Sequence, residues 1–210
     1  MKPILALVLA YFIGGIPFGY LIVRWRTGKD VRSSGSGNIG ATNVLRTTGR
    51  LLGVLTLLLD IAKGFFAVWL ARVLCGPDPS WLSAAALAVM AGHAFPVFLK
   101  FKGGKAVASF IGAFLYLQPL PLFAVMAVFV IVVAATRYIS FGSVAAAGSF
   151  PFAVWLISHP QWHVLAASLI AGVFIVVRHK ANIERIRLGT EHIFSFGGRH
   201  IDSVVGYRRR

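Results

Sequence analysis

The stretch that decides the fold is 52–74, LGVLTLLLDIAKGFFAVWLARVL, in which apolar side chains occupy almost every position. A helix needs about 20 apolar residues to cross a hydrocarbon layer of ~30 Å, and this stretch is long enough. Asp60 and Lys63 lie three positions apart within it, so on a helix they share a face and we expect them to neutralise each other. The stretch therefore predicts a transmembrane helix.

Similar apolar runs recur along the whole chain. Of the 210 residues, 58% are apolar or aromatic and only 13% are charged, a composition outside the range of ordinary soluble domains. The predicted helices lie at about 3–23, 52–74, 81–98, 106–118, 120–136, 143–158 and 164–177. The predicted fold class is all-α, a polytopic membrane helical bundle of about seven transmembrane helices.

Basic residues lie mainly between and after these runs. Loops rich in Lys and Arg stay on the cytoplasmic side of a membrane. If all the basic stretches are cytoplasmic, seven crossings place the N-terminus outside and the C-terminus in the cytoplasm, with a break near Gln118 and Pro119. A lower number of membrane crossings, in which one pair of short segments is re-entrant, is also possible. The basic stretches are 24–50, 100–105, the position of Arg137, and the chain from Arg178 onward.

The formal net charge of +15 could also suit nucleic acid. The location of the basic residues at helix ends favours anionic membrane lipids instead, and we expect no nucleic-acid partner. Cys75 is the single cysteine, and no Cys and His pair has zinc-finger spacing. We expect neither a metal nor a cofactor.

The first polar stretch, 32–46, has the sequence RSSGSGNIGATNVLR. Its glycines match the spacing of dinucleotide-binding loops, but no strand precedes them and Asp60 lies in an apolar helix, which excludes that fold. Glycine-rich loops expose successive N–H groups that hold anions, and arginine fits phosphate. We predict a phosphate-binding loop formed by Ser36, Gly37, Asn38, Gly40, Thr42, Asn43 and Arg46.

The second stretch, 92–105, reads GHAFPVFLKFKGGK. It is not a Walker A loop, because Ala106 stands where Ser or Thr would hold magnesium. Gly103 and Gly104 precede the next apolar run, so amides at a helix N-terminus could hold an anion together with Lys105. For His93, a packing role and a site role are both open. Lys100 and Lys102 suit anchors at the membrane surface.

The third stretch, 178–191, reads RHKANIERIRLGTE and continues from the last apolar run. His179 and Asn182 fall on one helical face and could orient a hydroxyl. The alternative is an amphipathic helix at the membrane surface, which suits Lys180, Arg185 and Arg187 better.

All three stretches fall on the predicted cytoplasmic side, so we expect them to form one site at the mouth of the bundle. Hydrogen-bond donors that bind an anion, placed next to apolar helices, suit an enzyme that joins a phosphorylated substrate to an acyl chain. A lipid-forming transferase is such an enzyme. A transporter or channel for a phosphorylated anion would also use basic loops. It would need a polar path across the membrane, and apart from Asp60 and Lys63 the helices are nearly free of buried charge.

The three stretches resemble the bacterial glycerol-3-phosphate acyltransferases that use an acyl phosphate donor, and the resemblance extends to about residue 196. It implies transfer of a fatty acyl group from acyl phosphate to the 1-hydroxyl of glycerol 3-phosphate, giving lysophosphatidic acid and phosphate. The implied partners are glycerol 3-phosphate, fatty acyl phosphate and membrane lipids, at the cytoplasmic face of the bacterial inner membrane. Residues 1–196 are expected to form one acyltransferase domain, followed by a basic tail at 197–210.

The chemistry implied by the resemblance is direct attack without an acyl-enzyme. The position five residues after His93 holds Phe98, so the His-x4-Asp signature of the other acyltransferase class is missing. The chain has no G-x-S-x-G elbow, and Cys75 lies in a predicted outside loop. The base is either His179, with an ordinary pKa of ~6.5, or the donor's own phosphate, which we favour.

Carried over position by position, the resemblance assigns roles to residues in all three stretches. Lys105, His179 and Asn182 are expected to be catalytic. The binding positions fall on Ser36, Asn38, Thr42 and Arg46, with Ser143 and Glu191 as further candidates.

Overall fold

The structure, a computed structural model, describes residues 1–194, and every regular element in this range is helical. This bears out the prediction of an all-α membrane bundle. The α-helices are α1 (Lys2–Gly15), α2 (Phe18–Thr27), α3 (Ala41–Thr48), α4 (Arg50–Cys75), α5 (Pro79–Ala94), α6 (Val107–Leu117), α7 (Pro119–Thr136), α8 (Ile139–Ser158), α9 (Trp162–Arg178) and α10 (Lys180–Arg187).

The first apolar run is broken at Ile16 and Pro17, where one continuous helix was predicted. Proline has no N–H and disfavours helical geometry in the residue before it, and Ile16 is extended with ψ 113°. The Ile16 carbonyl accepts a hydrogen bond from Lys63 at 2.8 Å, and Lys63 also lies 2.7 Å from Asp60. The expected neutralisation of Asp60 by Lys63 is confirmed, and the pair also stabilises the break.

Helix length limits how many elements can cross a membrane unaided. Within residues 1–194, five spans are long and apolar enough, and a sixth is formed if α9 and α10, bent by 50°, count as one. Helix α6 has only 11 residues and rises about 16 Å, less than the hydrocarbon thickness. The predicted helices are therefore present, but seven crossings are not confirmed by length alone.

Helices α4 and α6 approach closely because glycine stands at their contact. An added Cβ at Gly64 would lie 2.2 Å from the Ser109 carbonyl, and one at Gly112 would lie 1.9 Å from the Ile61 carbonyl. Small residues of this kind let helix backbones meet in membranes. The core beside them contains Phe110, Phe114 and Phe150, whose ring centroids lie 4.8–4.9 Å apart.

Several helix ends meet at one end of the bundle. Helix α8 begins at Ile139, four residues earlier than predicted, which brings Ser140 into its first turn. Helix α9 ends at Arg178, and the chain turns at His179 into α10, which packs against α8 and α9. The segment between α5 and α6 lies at the same end, because Arg178 bonds its backbone.

Candidate functional site

The first polar stretch folds around the side chain of Asn43, which is only 2% exposed. The Asn43 amide nitrogen donates to the carbonyls of Val31, Ser34 and Asn38 at 3.3, 3.1 and 2.8 Å. Its Oδ1 accepts from the backbone N–H of Ser36 at 2.9 Å. These bonds use both the nitrogen and the oxygen of the Asn43 amide, so this side chain holds the loop together. The sequence predicted instead that Asn43 contacts the substrate directly.

Two of the backbone amides predicted to form an anion nest have partners inside the loop. The N–H of Gly37 donates to Ser34 at 3.1 Å, and that of Gly40 donates to the side chain of Asn38 at 2.8 Å. Gly35 is required for another reason, since its φ is 60° and an added Cβ would lie 2.3 Å from Asn43 Oδ1. The predicted nest is therefore largely closed by the loop's own hydrogen bonds.

The groups that this loop leaves available are side chains. Ser36 and Thr42 are exposed, and Asn38 and Arg46 are half-buried. Thr42 lies in the first turn of α3, with Arg46 four residues later on the same face. The charges of Glu191 and Arg185 act on Arg46, so Arg46 lies within electrostatic range of the third stretch.

The two glycines of the second stretch allow close packing against His93. The N–H groups of Gly103 and Gly104 donate to the carbonyls of Ala94 and His93, each at 3.1 Å. An added Cβ at Gly104 would lie 2.2 Å from His93 Nε2. Helix α6 begins only at Val107, so these two amides are not at its N-terminus. The anion-binding role predicted for Gly103 and Gly104 is replaced by a packing role.

His93 itself lies beneath the site and not in it. Its side chain is buried, its Nδ1 is 3.2 Å from the Ser109 hydroxyl, and the same atom is 3.7 Å from Asp60. The alternative left open by the sequence is thus decided in favour of packing, with His93 supporting Gly104 and the adjacent Lys105.

The second and third stretches are joined by Arg178. Its guanidinium donates to the Gly104 carbonyl at 2.8 Å and to the Gly103 carbonyl at 3.4 Å, and it lies 5.1 Å from the centre of the Phe95 ring. This arginine was given no role from the sequence. It fixes the backbone immediately before Lys105.

A hydrogen-bonded chain of side chains forms the centre of the site. The Lys105 ammonium donates to Asn182 Oδ1, and Asn182 Nδ2 donates to Glu191 Oε1 at 2.6 Å. Glu191 Oε1 also accepts from the Ser140 hydroxyl at 2.8 Å, and Oε2 accepts from Arg185 Nε at 2.7 Å. These bonds hold together three parts of the chain that are distant in sequence: the segment before α6, the start of α8, and α10 with the residues that follow it.

Ser143 is displaced from this chain of bonds by one helical turn. Its hydroxyl donates to the Ile139 carbonyl of its own helix at 2.9 Å. Ser140, which the sequence analysis missed, makes the contact with Glu191 instead. The two serines are three positions apart on α8, so only the exact start of the helix distinguishes them.

His179 lies at the bend between α9 and α10 and is 3% exposed. Its Nδ1 is 2.8 Å from the Ile175 carbonyl. A carbonyl can only accept, so Nδ1 carries the proton and the Nε2 of the neutral ring is the atom able to accept one. Lys105 lies within electrostatic range of this ring.

The charges of the site shift the ionisation of its members. Burial, with the nearby charges of Arg185, Arg46 and Arg178, lowers the pKa of Lys105 to about 8, against a smaller opposing effect of Glu191. Burial opposes the charged form of Glu191, but hydrogen bonds from Asn182, Ser140 and Arg185 outweigh it and hold the pKa of the carboxyl below its ordinary value. The site is a cluster of cationic side chains around one carboxylate, that of Glu191.

This arrangement suits a phosphorylated substrate. Arg46 and Lys105 provide charge-assisted donors, and Ser36 and Thr42 provide neutral hydroxyls. His179 and Asn182 add polar groups that are mostly buried and can orient a substrate hydroxyl. Glu191 is already bonded to three side chains and acts as the organiser of the others.

Comparisons with known proteins agree with this chemistry. A family model described as glycerol-3-phosphate acyltransferase matches residues 4–189. A glycerol-3-phosphate acyltransferase of Geobacter sulfurreducens is 44% identical over 194 residues, covering 92% of this chain and 98% of that protein. One from Thermotoga petrophila is 44% identical over 184 residues, covering 88% of this chain and 92% of that protein.

The fold is also similar to a solved structure. The crystal structure of PlsY (YgiH), an integral membrane glycerol 3-phosphate acyltransferase in its glycerol 3-phosphate form, matches with a TM-score of 0.87 and 36% identity, covering 93% of this chain and 96% of that chain. Its lysophosphatidic acid form matches with a TM-score of 0.84 and 34% identity. The chain described here is therefore a multi-pass membrane protein that belongs to the glycerol-3-phosphate acyltransferase family.

Proposed function

We propose that this acyltransferase takes its acyl group from a fatty acyl phosphate and attaches it to the 1-hydroxyl of glycerol 3-phosphate, releasing lysophosphatidic acid and inorganic phosphate. The observation that carries the proposal is the convergence of Arg46 and Lys105 with His179 and Asn182 in one cationic, half-buried site. Such a site suits two phosphate-bearing substrates and the hydroxyl of one of them.

The position of His93 supports the choice of donor. An acyltransferase that uses a His and Asp pair as its base needs an imidazole that reaches the substrate. His93 is instead buried against Gly104 and Ser109, and the chain holds Phe98 where the signature aspartate would stand. An acyl phosphate is already activated, so its reaction depends mainly on holding the two reactants together, which can supply ~7–11 kcal/mol.

In the proposed step the glycerol hydroxyl attacks the acyl carbonyl directly. A new ester C–O bond forms, the bond from the carbonyl carbon to the phosphate oxygen breaks, and phosphate leaves with both electrons of that bond. Lys105 and Arg46 stabilise the charge that develops on the leaving phosphate. The hydroxyl proton passes to the phosphate, while His179 and Asn182 hold glycerol 3-phosphate.

Residues 1–196 form one acyltransferase domain in this proposal, and the basic tail expected at 197–210 lies outside the described residues. The site faces the cytoplasm at the inner membrane of a bacterium, where soluble glycerol 3-phosphate can reach it. Of the binding residues, Ser36, Asn38, Thr42 and Arg46 contact phosphate, whereas Asn43, Gly103, Gly104 and Glu191 shape the site. The reaction requires no metal and no cofactor, and it belongs to phospholipid biosynthesis.

The test is an assay of the purified protein with labelled glycerol 3-phosphate and three donors: acyl phosphate, acyl-CoA and acyl carrier protein. We expect labelled monoacyl product, and one phosphate per product, with acyl phosphate alone. Product from acyl-CoA but not from acyl phosphate would overturn the proposal. His179→Ala then tests the base: a raised KM for glycerol 3-phosphate fits the phosphate as base, whereas a fall in kcat of about 10²–10⁴ fits His179.

A further inference from the structure

A pair of oppositely charged side chains, Asp60 and Lys63, is buried in the middle of helix α4. They are 2% and 4% exposed, and the Lys63 ammonium lies 2.7 Å from the Asp60 carboxylate. Replacing such a buried ion pair with apolar residues of similar size is often neutral or stabilising, so fold stability alone does not explain why the pair is there. Charged residues inside a membrane segment usually serve function. This pair is therefore a candidate for a role in the reaction.

Lys63 supports the first polar stretch through helix α2. Its ammonium donates to the Ile16 carbonyl at 2.8 Å, immediately before α2 begins. Gly19, in the first turn of α2, packs so closely against the polar loop that an added Cβ would lie 2.0 Å from the Ile39 carbonyl. The position of α2 therefore fixes the loop that leads to α3 and Arg46, and Lys63 fixes where α2 begins.

Asp60 supports the second polar stretch through His93. Its Oδ1 lies 3.7 Å from His93 Nδ1, and the Ser109 hydroxyl lies 3.2 Å from the same nitrogen. A carboxylate near Nδ1 favours the tautomer that carries its proton there, which leaves His93 Nε2 without a hydrogen. This nitrogen lies against Gly104, 2.2 Å from where a Cβ would stand. The His93 carbonyl also accepts from the Gly104 N–H at 3.1 Å, so both contacts hold the backbone next to Lys105.

We propose that this buried pair is a positioning element of the acyltransferase, which sets the placement of Arg46 relative to Lys105 without touching the substrate. The inference rests on the proposed function and adds to it two residues that lie below the site. One ion pair joins the supports of the first and the second stretch, because Lys63 reaches the start of α2 and Asp60 reaches the histidine that supports Lys105. Loss of the pair therefore loosens both cations that act on the reacting phosphate.

The main test removes both charges at once, with Asp60→Leu and Lys63→Met in one protein. Because neither charge is left buried alone, we expect the Tm in detergent to stay close to that of the wild type. We expect kcat/KM with acyl phosphate to fall about tenfold or more, and the Kd of glycerol 3-phosphate, measured by calorimetry without a donor, to rise about threefold.

The pH profile of this variant shows whether Lys105 has moved. Burial is the main cause of the lowered pKa of Lys105, so a loosened loop that admits water should raise it. We expect the decline of kcat/KM near pH 8 to move to higher pH. A change that only reduced the amount of folded protein would lower activity equally at every pH and leave the decline in place.

A charge swap, Asp60→Lys with Lys63→Asp, separates the pair itself from its outward contacts. The swap keeps one ion pair but puts a carboxylate next to the Ile16 carbonyl and an ammonium next to His93, so we expect activity as low as in the apolar variant. Wild-type kcat/KM in either folded variant overturns the inference. A fall in kcat/KM with both the pH profile and the Kd unchanged assigns the loss to folding and also overturns it.

If neither variant folds, Ser109→Ala decides, since it removes only the hydroxyl next to His93. We expect kcat/KM to fall about threefold. Ser83→Ala is the matched control, a buried serine on α5 that lies ten positions, about 15 Å, from His93 and should keep wild-type kinetics. Equal kinetics in the two serine variants contradict the inference. A wild-type protein that makes no product from acyl phosphate overturns the proposed function instead, and the Kd of glycerol 3-phosphate still tests the pair.

Discussion

Lys105 is the residue at which the three polar stretches act on one another. It is bonded to Asn182 of the third stretch, and the charges of Arg46, Arg178 and Arg185 surround it. Three nearby cations repel the Lys105 ammonium, and the carboxylate of Glu191 opposes this repulsion. We therefore expect a bound phosphate to reduce the repulsion among Lys105 and the three arginines.

We predict that Lys105→Ala lowers kcat/KM at least tenfold, because a charge-assisted contact contributes roughly 1.5–3 kcal/mol. Lys105→Arg should restore little, since the planar guanidinium cannot take the place of a compact ammonium next to Asn182. Steady-state kinetics with both substrates measure these changes. Lys102→Ala is the control, an exposed lysine three positions away that should remain near wild type. Wild-type kinetics in Lys105→Ala would mean that the site is elsewhere.

The pH dependence should report Lys105 directly. Its pKa of about 8 means that the ammonium is present below this pH and is lost as the pH rises through it. We expect kcat/KM, which reports the free enzyme, to fall above about pH 8. The decline in kcat should come at higher pH, because a bound phosphate favours the charged lysine. In Lys105→Arg the limb near pH 8 should vanish, and its persistence would assign it to another group.

Some residues of the candidate site could be predicted from the sequence, and others could not. Residue type and spacing singled out Lys105 and Asn182, because charged and amide groups next to apolar helices are uncommon without a role, whereas Glu191 was a candidate only through the family resemblance. Spacing could not separate Ser140 from Ser143, since the choice depends on a helix start that sequence patterns place only to within a few residues.

At the scale of elements, most site residues are positioned by irregular backbone at helix ends. The loop before α3 depends on Asn43, the segment before α6 depends on His93 and Arg178, and the bend after α9 places His179. None of these tertiary contacts has a local sequence signal. The apolar runs predicted the helices well, but the partners that hold the connections together become visible only when the helices are packed.

Asn43→Ala should affect both stability and substrate binding. It removes the amide that satisfies the carbonyls of Ser34 and Asn38 inside the loop, and an unsatisfied buried group costs about 1–3 kcal/mol. We expect a lower Tm in detergent and a higher KM for glycerol 3-phosphate. Thr42→Ala is the comparison, since Thr42 is exposed and should change KM without changing Tm. Equal effects on Tm would contradict the organising role of Asn43.

For the whole molecule, the contacts of the site constrain how the chain crosses the membrane. Lys105, just before α6, and Ser140, at the start of α8, are joined through Asn182 and Glu191. The hairpin of α6 and α7 must therefore leave the site and return to it. Helix α7 is long enough to cross a membrane, whereas α6 alone is shorter than the hydrocarbon layer. Helix α8 then carries the chain away again.

This reasoning predicts that position 36 faces the cytoplasm and position 159 faces outside. In a Cys75→Ala background, a single cysteine at each exposed position can be labelled with a membrane-impermeant thiol reagent. Position 159 should react in intact cells, and position 36 only after permeabilisation. Both should react in detergent, which controls for access. Six helices, α3 to α8, lie between the two positions, and α3, with only 8 residues, is too short to cross. An odd number of crossings between them puts the two positions on opposite sides, and an even number puts them on the same side. Labelling of both positions, or of neither, in intact cells would thus exclude seven crossings, and labelling of position 36 alone would reverse the orientation.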